Sequence, residues 1–343
     1  MVLAPRSGLT FLAALTLAAP LTLACDGSGG GDAELDILIE AEDVIIDGLT
    51  PGDGAENIRD GWTVSFNKYV TVVGEVDIHL STDETIEGEA PETYAIDLTT
   101  IPPAGVSKWR ITELADGTYE FFYGTHGAGE ATRDDSVSEA DFAEMQAGGW
   151  TYLIDGTITK ADGVSCPPAS LVNPGSTAIE AGTSNSAGDP CYVNTSVSFR
   201  IGAEAETAFG PCEIDGAPGV SVTSGSVTPA AITIHGDHIF FNGFPEGDEG
   251  GTLRLAQWLA DADLNLDGAV TKDELEAISP SDLAELDDRY QLGGSPITPL
   301  NNMWDYVRAQ LKTQGHFQGE GECPADGVAH DHGHDHDHDH DHG

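Results

Sequence analysis

The apolar residues change their period once along this chain, and that change limits what it can fold into. From Ala33 to about Gly243, β-type runs alternate with turn-forming residues: Leu35 to Ile46, Gly61 to Leu80, Tyr119 to Gly124, Trp150 to Thr159, Val193 to Gly202 and Ala231 to Phe241. Thr63, Val64, Ser65 and Phe66 alternate polar and apolar side chains, as a strand with one wet face does. Pro and Gly clusters at Thr50 to Asp53 and Ile101 to Gly105 mark turns and edges. From Gly250 the period becomes helical. Leu255, Trp258, Leu259 and Ala262 recur at helical spacing, Leu275 and Ile278 continue an apolar face, and two further helices are expected from about Pro280 to Tyr290 and from Pro299 to Gln314. Ser279, Pro280 and Asp282 read as the cap, first and third positions of the former. Met303, Trp304, Val307 and Leu311 read as the core face of the latter, with Gly315 placed to end it. The expected class is α+β: a mostly antiparallel β-sandwich body over 33–245, as one domain or two small ones, followed by a small helical module over 250–316.

Within that module lies the run DLNLDGAVTKDE, residues 263 to 274. Oxygen-bearing side chains stand at alternate positions, Asp263, Asn265 and Asp267, followed by Gly268 where the chain must turn sharply, and the run closes on Glu274. A hard cation needs several oxygens on a tight loop, and this spacing supplies them. The run and its flanking helices resemble the EF-hand family over residues 252 to 280. That resemblance implies calcium held by Asp263, Asn265, Asp267, the backbone carbonyl of Ala269, Thr271 directly or through a water, and a bidentate Glu274, with Val270 packing inward. EF-hands usually pair back to back, and the sequence holds no second loop of this type. An unpaired hand with a short exit helix points to a structural calcium site rather than a switch, with an affinity of roughly 10⁻⁵ to 10⁻³ M.

Residues 1–25 read as an export signal: Arg6 gives a positive start, Leu9 to Leu23 are apolar, and small residues precede Cys25. Leu21 to Cys25 resemble a bacterial lipobox, although Thr22 stands where Leu is usual. The resemblance implies lipidation of Cys25, with simple secretion after Ala24 as the alternative. Residues 26–32, rich in Gly and Ser, would form a tether. The expected location is the cell envelope, anchored by lipid to a bacterial membrane, with the remainder of the chain outside the inner membrane. Cys166, Cys191, Cys212 and Cys323 are an even set in an exported chain, which favours two disulfides. Three pairings are possible; local closure of the Pro, Gly and Ser-rich segment favours Cys166 with Cys191, leaving Cys212 with Cys323. Their wide spacing lacks the short CxxC pairs of zinc modules.

Residues 317–343 form a Cys-containing linker and a tail in which His330, His332, His334, His336, His338, His340 and His342 alternate with Asp almost without interruption. The tail has nothing apolar to bury and is expected to be disordered. Its imidazoles suit zinc, copper or nickel, and proton competition should weaken binding below neutral pH. In composition it resembles the His-rich segments of bacterial zinc-uptake binding proteins and nickel chaperones. A further candidate is His235, Asp237 and His238, read as the start of a strand, with His235 and Asp237 on one face and His238 on the other. His79, His126 or His316 would have to complete that metal site. The text IHGDHIFFNGF, together with the acidic loop and GHFQGEGEC, resembles predicted lipoproteins of myxobacteria.

With 13 Lys and Arg against 59 Asp and Glu, the net charge of -46 excludes electrostatic binding to nucleic acid or to an anionic membrane surface. There is no P-loop, dinucleotide glycine fingerprint, GxSxG elbow or HExxH helix, and carboxylates are too abundant for a pair to mean anything without geometry. The expectation is therefore a non-enzymatic, exported calcium-binding protein. The alternatives are an envelope protein that handles transition metals through its tail, and a surface adhesion or assembly module held in shape by calcium.

Overall fold

A computed structural model describes residues 31–244 and 253–325. The signal segment, Cys25, most of the tether and the seven tail histidines lie outside the described residues. The chain is mostly β, rich in antiparallel pairs, with a few short helices, so the α+β class with a β-rich body holds.

The largest sheet is organised by one 18-residue strand, Thr63–Leu80. Along one edge it changes partner: Thr63 to Thr71 pair with Tyr152–Thr159, and Val73 to Leu80 pair with Gly117–Thr125. Its other edge pairs with Asp83–Asp97 from Val70 onward. Both faces of its middle are covered, which explains the run of buried residues from Tyr69 to Gly74. Tyr69, Val73, Val76 and Ile78 join the main core, while Val70 and Val72 enter a smaller one with Leu153, Met145 and Val137. That second core lies under the helix Glu139–Gly148, which the apolar pattern did not suggest. Its ends carry ordinary punctuation, Ser138 Oγ accepting from Asp141 N at the start and Gly149 in the left-handed region at the end.

A second sheet runs in the order Gly315–Phe317, Val227–Ile234, Ala33–Ala41, Val106–Leu114. Ala33–Ala41 and Val227–Ile234 pair in parallel, in register from Glu34 with Val227 to Ala41 with Ile234. Leu35, Ile37 and Ile39 from this sheet, Tyr69 and Ile78 from the large sheet, and Trp258, Leu275, Tyr306 and Val307 from the C-terminal helices all belong to one core. Body and helical segment thus share their buried apolar surface.

Several expected boundaries shift for local reasons. The first strand ends at Ala41, and Asp43–Asp47 forms a helical turn instead of continuing to Ile46. The expected helix from Pro280 to Tyr290 divides into a 3-10 turn, Pro280–Asp282, and a helix, Ala284–Arg289, because Leu283 adopts an extended backbone and is buried in the core. The Ser279 cap does form, with Ser279 N donating to Asp282 Oδ2 at 3.0 Å. The last helix is Met303–Leu311, started by Asn302 Oδ1 accepting from Asp305 N at 2.8 Å, and its four expected core residues are all buried. Gly315 opens the strand Gly315–Phe317 rather than capping that helix. A Cβ there would lie 2.5 Å from the Tyr123 hydroxyl and 2.6 Å from the Phe209 ring.

Both expected disulfides are present, Cys166–Cys191 and Cys212–Cys323. They fit an oxidising, exported setting. Among the described residues no helix is long and apolar enough to cross a membrane.

Candidate functional sites

Two places gather metal-ligand chemistry. The first is the acidic loop 263–274, between the helices Gln257–Asp261 and Lys272–Ala277. The entering helix is capped from a distance, Asp60 Oδ2 accepting from the amides of Ala256 and Gln257 at 2.7 and 2.8 Å. The exiting helix starts with a capping box between Thr271 and Glu274. Gly268 has φ +84, the sharp turn its position requires.

Inside the loop, backbone amides converge on the carboxylates. Asp263 is fully buried, its Oδ1 accepting from Asp267 N at 3.1 Å and its Oδ2 from Gly268 N at 2.9 Å. Asn265 Oδ1 accepts from Asp267 N, and Asp267 Oδ1 from Ala269 N. Glu274 reaches back to the start of the loop: Oε1 accepts from Leu264 N at 3.1 Å and Asn265 N at 3.3 Å, while Oε2 takes the Thr271 amide and hydroxyl. The loop carboxylates do not come within 4.8 Å of one another as a set; amides hold them in place. Burial raises the pKa of Asp263, and the nearby Glu274 charge adds to that, against amide donors that lower it.

The β body braces the loop from outside. Ala269–Val270 adds to the large sheet in parallel, opposite Ser198 and Phe199. Asn194 Nδ2 donates to Asp263 Oδ2 at 2.9 Å, and Asn173 N donates to the Leu264 carbonyl at 2.8 Å. Asp261, at the end of the entering helix, accepts from Cys166 N at 2.7 Å and ties the first disulfide to the loop. Complete burial pushes the Asp261 carboxyl up to about 7 even though Cys166 and Gln257 donate to it.

The second place lies at the carboxyl ends of the two parallel strands. Contrary to the sequence expectation, His235 to His238 do not open a strand. Val227–Ile234 ends before them, and His238–Phe240 forms a 3-10 turn whose Phe240 N donates to the Asp237 carbonyl. The expected division of side chains survives in part: His235 and Asp237 stay within 4.8 Å of each other beside Glu42, but His238 does not point away. The turn brings His235 and His238 together, with ring centroids 5.6 Å apart, and sends Asp237 to Arg254, whose Nε donates to Asp237 Oδ2 at 2.5 Å.

Register then delivers two more groups. Because Ala41 pairs with Ile234, the next residues, Glu42 and His235, are neighbours; Glu42 Oε2 stands 3.9 Å from His235 Nδ1 and accepts from Gly236 N. His316 sits opposite Thr233 and stacks on His235 with centroids 3.8 Å apart. Of the three possible helpers, His316 is the one that joins. His79 and His126 line a separate pocket of about 230 Å³ with Glu75, Asp77 and Phe122.

Among the described residues the groups of three ligand-type side chains within 4.8 Å are His235, His238 and His316, and Glu42, His235 and Asp237. Burial, followed by the neighbouring His235 and His238, pushes His316 down to about 2, and burial likewise drives His238 well below the usual imidazole range. Burial and the adjacent Asp237 push the Glu42 carboxyl well above the usual carboxylate range. No local spacing announces His316 or Glu42. The strand register was the missing information.

No protein-family model, curated protein or solved structure matches the chain.

Proposed function

We propose that this is an exported, non-enzymatic calcium-binding protein, lipid-anchored through Cys25, whose acidic loop holds one structural calcium. The observation that carries the reading is the closure of the loop on itself. Glu274, at the twelfth position, engages the amides of the second and third, while Asp263, at the first, engages those of the fifth and sixth. Such a frame holds oxygen donors from both ends of one short loop, and a hard divalent ion would draw them together in place of amide donors. Asp263, Asn265, Asp267 and Glu274 would contribute side-chain oxygens, and Ala269 its carbonyl. Thr271 would act through its hydroxyl.

A structural role follows from the surroundings. The loop's short strand is part of the large sheet, and the loop is tied by Asn194, Asn173 and the first disulfide, so neither flank is free to open as a sensor must. Calorimetric titration of the mature protein with calcium tests the reading. One equivalent bound, with a higher melting temperature in calcium than in chelator, is expected. No heat and an unchanged melt would reduce the segment to an acidic turn.

A further inference from the structure

We propose that His235, His238 and His316 form a transition-metal site in the folded body, distinct from the acidic loop and from the histidine tail, and suited to zinc. It goes beyond the calcium reading and does not depend on it.

Hydrogen bonds on two of the rings show where their protons sit. His235 Nε2 lies 3.1 Å from the Gly319 carbonyl, which can only accept, so that nitrogen carries a proton and Nδ1 is the one that can offer a lone pair to a metal. Thr313 Oγ1 donates its hydrogen to the Gln310 carbonyl at 2.8 Å, so it accepts from His238 Nδ1 at 2.9 Å, and the His238 lone pair is on Nε2. Each ring is thus fixed on one side by an oxygen and left with a basic nitrogen on the other. Metal-bound histidines are oriented in this way. His316 Nδ1 is buried without a well-formed hydrogen bond, with the Gly321 backbone near enough to the ring to act on it. A buried polar atom left so is destabilising and calls for an ion or a water.

The three rings press on one another, at centroid separations of 3.8, 5.2 and 5.6 Å, with one candidate ligand atom of each within 4.8 Å of the others. Apolar side chains would fill this volume without leaving lone pairs to satisfy. A cation between the nitrogens removes that penalty. Three neutral imidazoles with an open fourth position match zinc's preference for nitrogen donors and tetrahedral geometry. His316 retains partial exposure, which gives an ion a path from solvent, while His235 and His238 are buried. Glu42, 3.9 Å from His235 Nδ1, stands beside the site as an acidic neighbour.

The test uses the full chain, with zinc as the probe and the tail present throughout. Wild type, His316→Gln and His238→Gln are loaded with zinc, dialysed against a chelator of intermediate strength and analysed for bound metal; crystals of the zinc-loaded wild type are measured above and below the zinc absorption edge. The site predicts one tightly held zinc in wild type, weakened roughly tenfold or more in either variant, and an anomalous peak between the three rings. Equal retention by wild type and folded variants, or zinc-loaded crystals without a peak at these rings, would overturn it. Should the variants not fold, the anomalous map alone decides. Calcium titration of the same samples keeps the two readings apart, since loss of His316 leaves the acidic loop untouched.

Discussion

The acidic loop and the histidine turn are built in opposite ways. The loop is contiguous, from Asp263 to Glu274, and its internal hydrogen bonds span at most ten residues. The histidine turn joins Glu42, His235, His238 and His316 from the ends of three strands and the turn that follows one of them. One arrangement could be read from spacing. The other exists only because a parallel pairing and an antiparallel edge strand bring four segments to the same corner. Their electrostatics differ as well. The loop presents carboxylates held by amides, a setting for a hard cation, whereas the turn presents neutral imidazoles, a setting for a borderline-soft one.

The largest expected effect tests the histidine corner. Arg254 is the buried partner of Asp237, which is completely buried behind the turn. Arg254→Ala leaves that carboxylate without a counter-charge and should cost about 3–5 kcal/mol in denaturant unfolding. A loss below about 1 kcal/mol would mean that Asp237 is satisfied some other way. The double variant Arg254→Ala, Asp237→Asn should recover part of the loss.

The next effect tests the support of the loop. Asp261 has its folded-state pKa raised to about 7 by burial, above its unfolded value. The folded state therefore holds the proton more tightly, and this group's contribution is full below about pH 4 and declines as pH rises through about 7, by on the order of 4 kcal/mol. Asp261→Asn keeps an acceptor for Cys166 N and should flatten that decline in calcium-free unfolding measurements. An unchanged pH profile would show that Asp261 does not drive it. Asp141, on the opposite face of the large sheet, behaves in the reverse sense. Burial pulls its carboxyl upward, but hydrogen bonds from Lys68, Ser138 and Arg200 outweigh this and hold it at about 2, so its contribution is present above about pH 4 and lost as pH falls through 2.

Smaller effects bear on the acidic loop alone. Glu274→Gln removes a charge and the bidentate closure, and should weaken calcium by roughly tenfold or more in calorimetry while zinc retention stays as in wild type. Asn194→Ala deletes one donor to Asp263 Oδ2 and should weaken calcium by about fivefold, equivalent to about 1 kcal/mol. An unaltered isotherm for Asn194→Ala would mean that the β body only abuts the loop.

Much of the fold was legible. The strands at Thr63–Leu80, Gly117–Thr125, Tyr152–Thr159 and Ser196–Ala203 lie where alternation and β-branched residues put them, and both disulfides follow from the argument of local closure. The helix Glu139–Gly148 was hidden because only Met145 and Asp141 on it are buried, leaving no apolar stripe; its caps, Ser138 and Gly149, were the readable signal. At His235 the run of apolar residues around Ile234 and Ile239 imitated a continuous strand. Gly236 lies against the turn Asp43–Asp47, where a Cβ would meet Ile45 at 2.5 Å, and the chain bends there instead.

The period of each segment, the spacing of oxygen-bearing residues in the loop and the export-type cysteine usage are all present in the residues themselves, because each is a property of neighbouring residues and of composition. Long-range pairing is what makes the loop's short strand join the large sheet, body and helices share one core, and His316 meet His235 across a strand pair. Those outcomes depend on register between segments far apart in the chain, and register is set by which apolar faces can be buried together, a quantity no local stretch of residues contains.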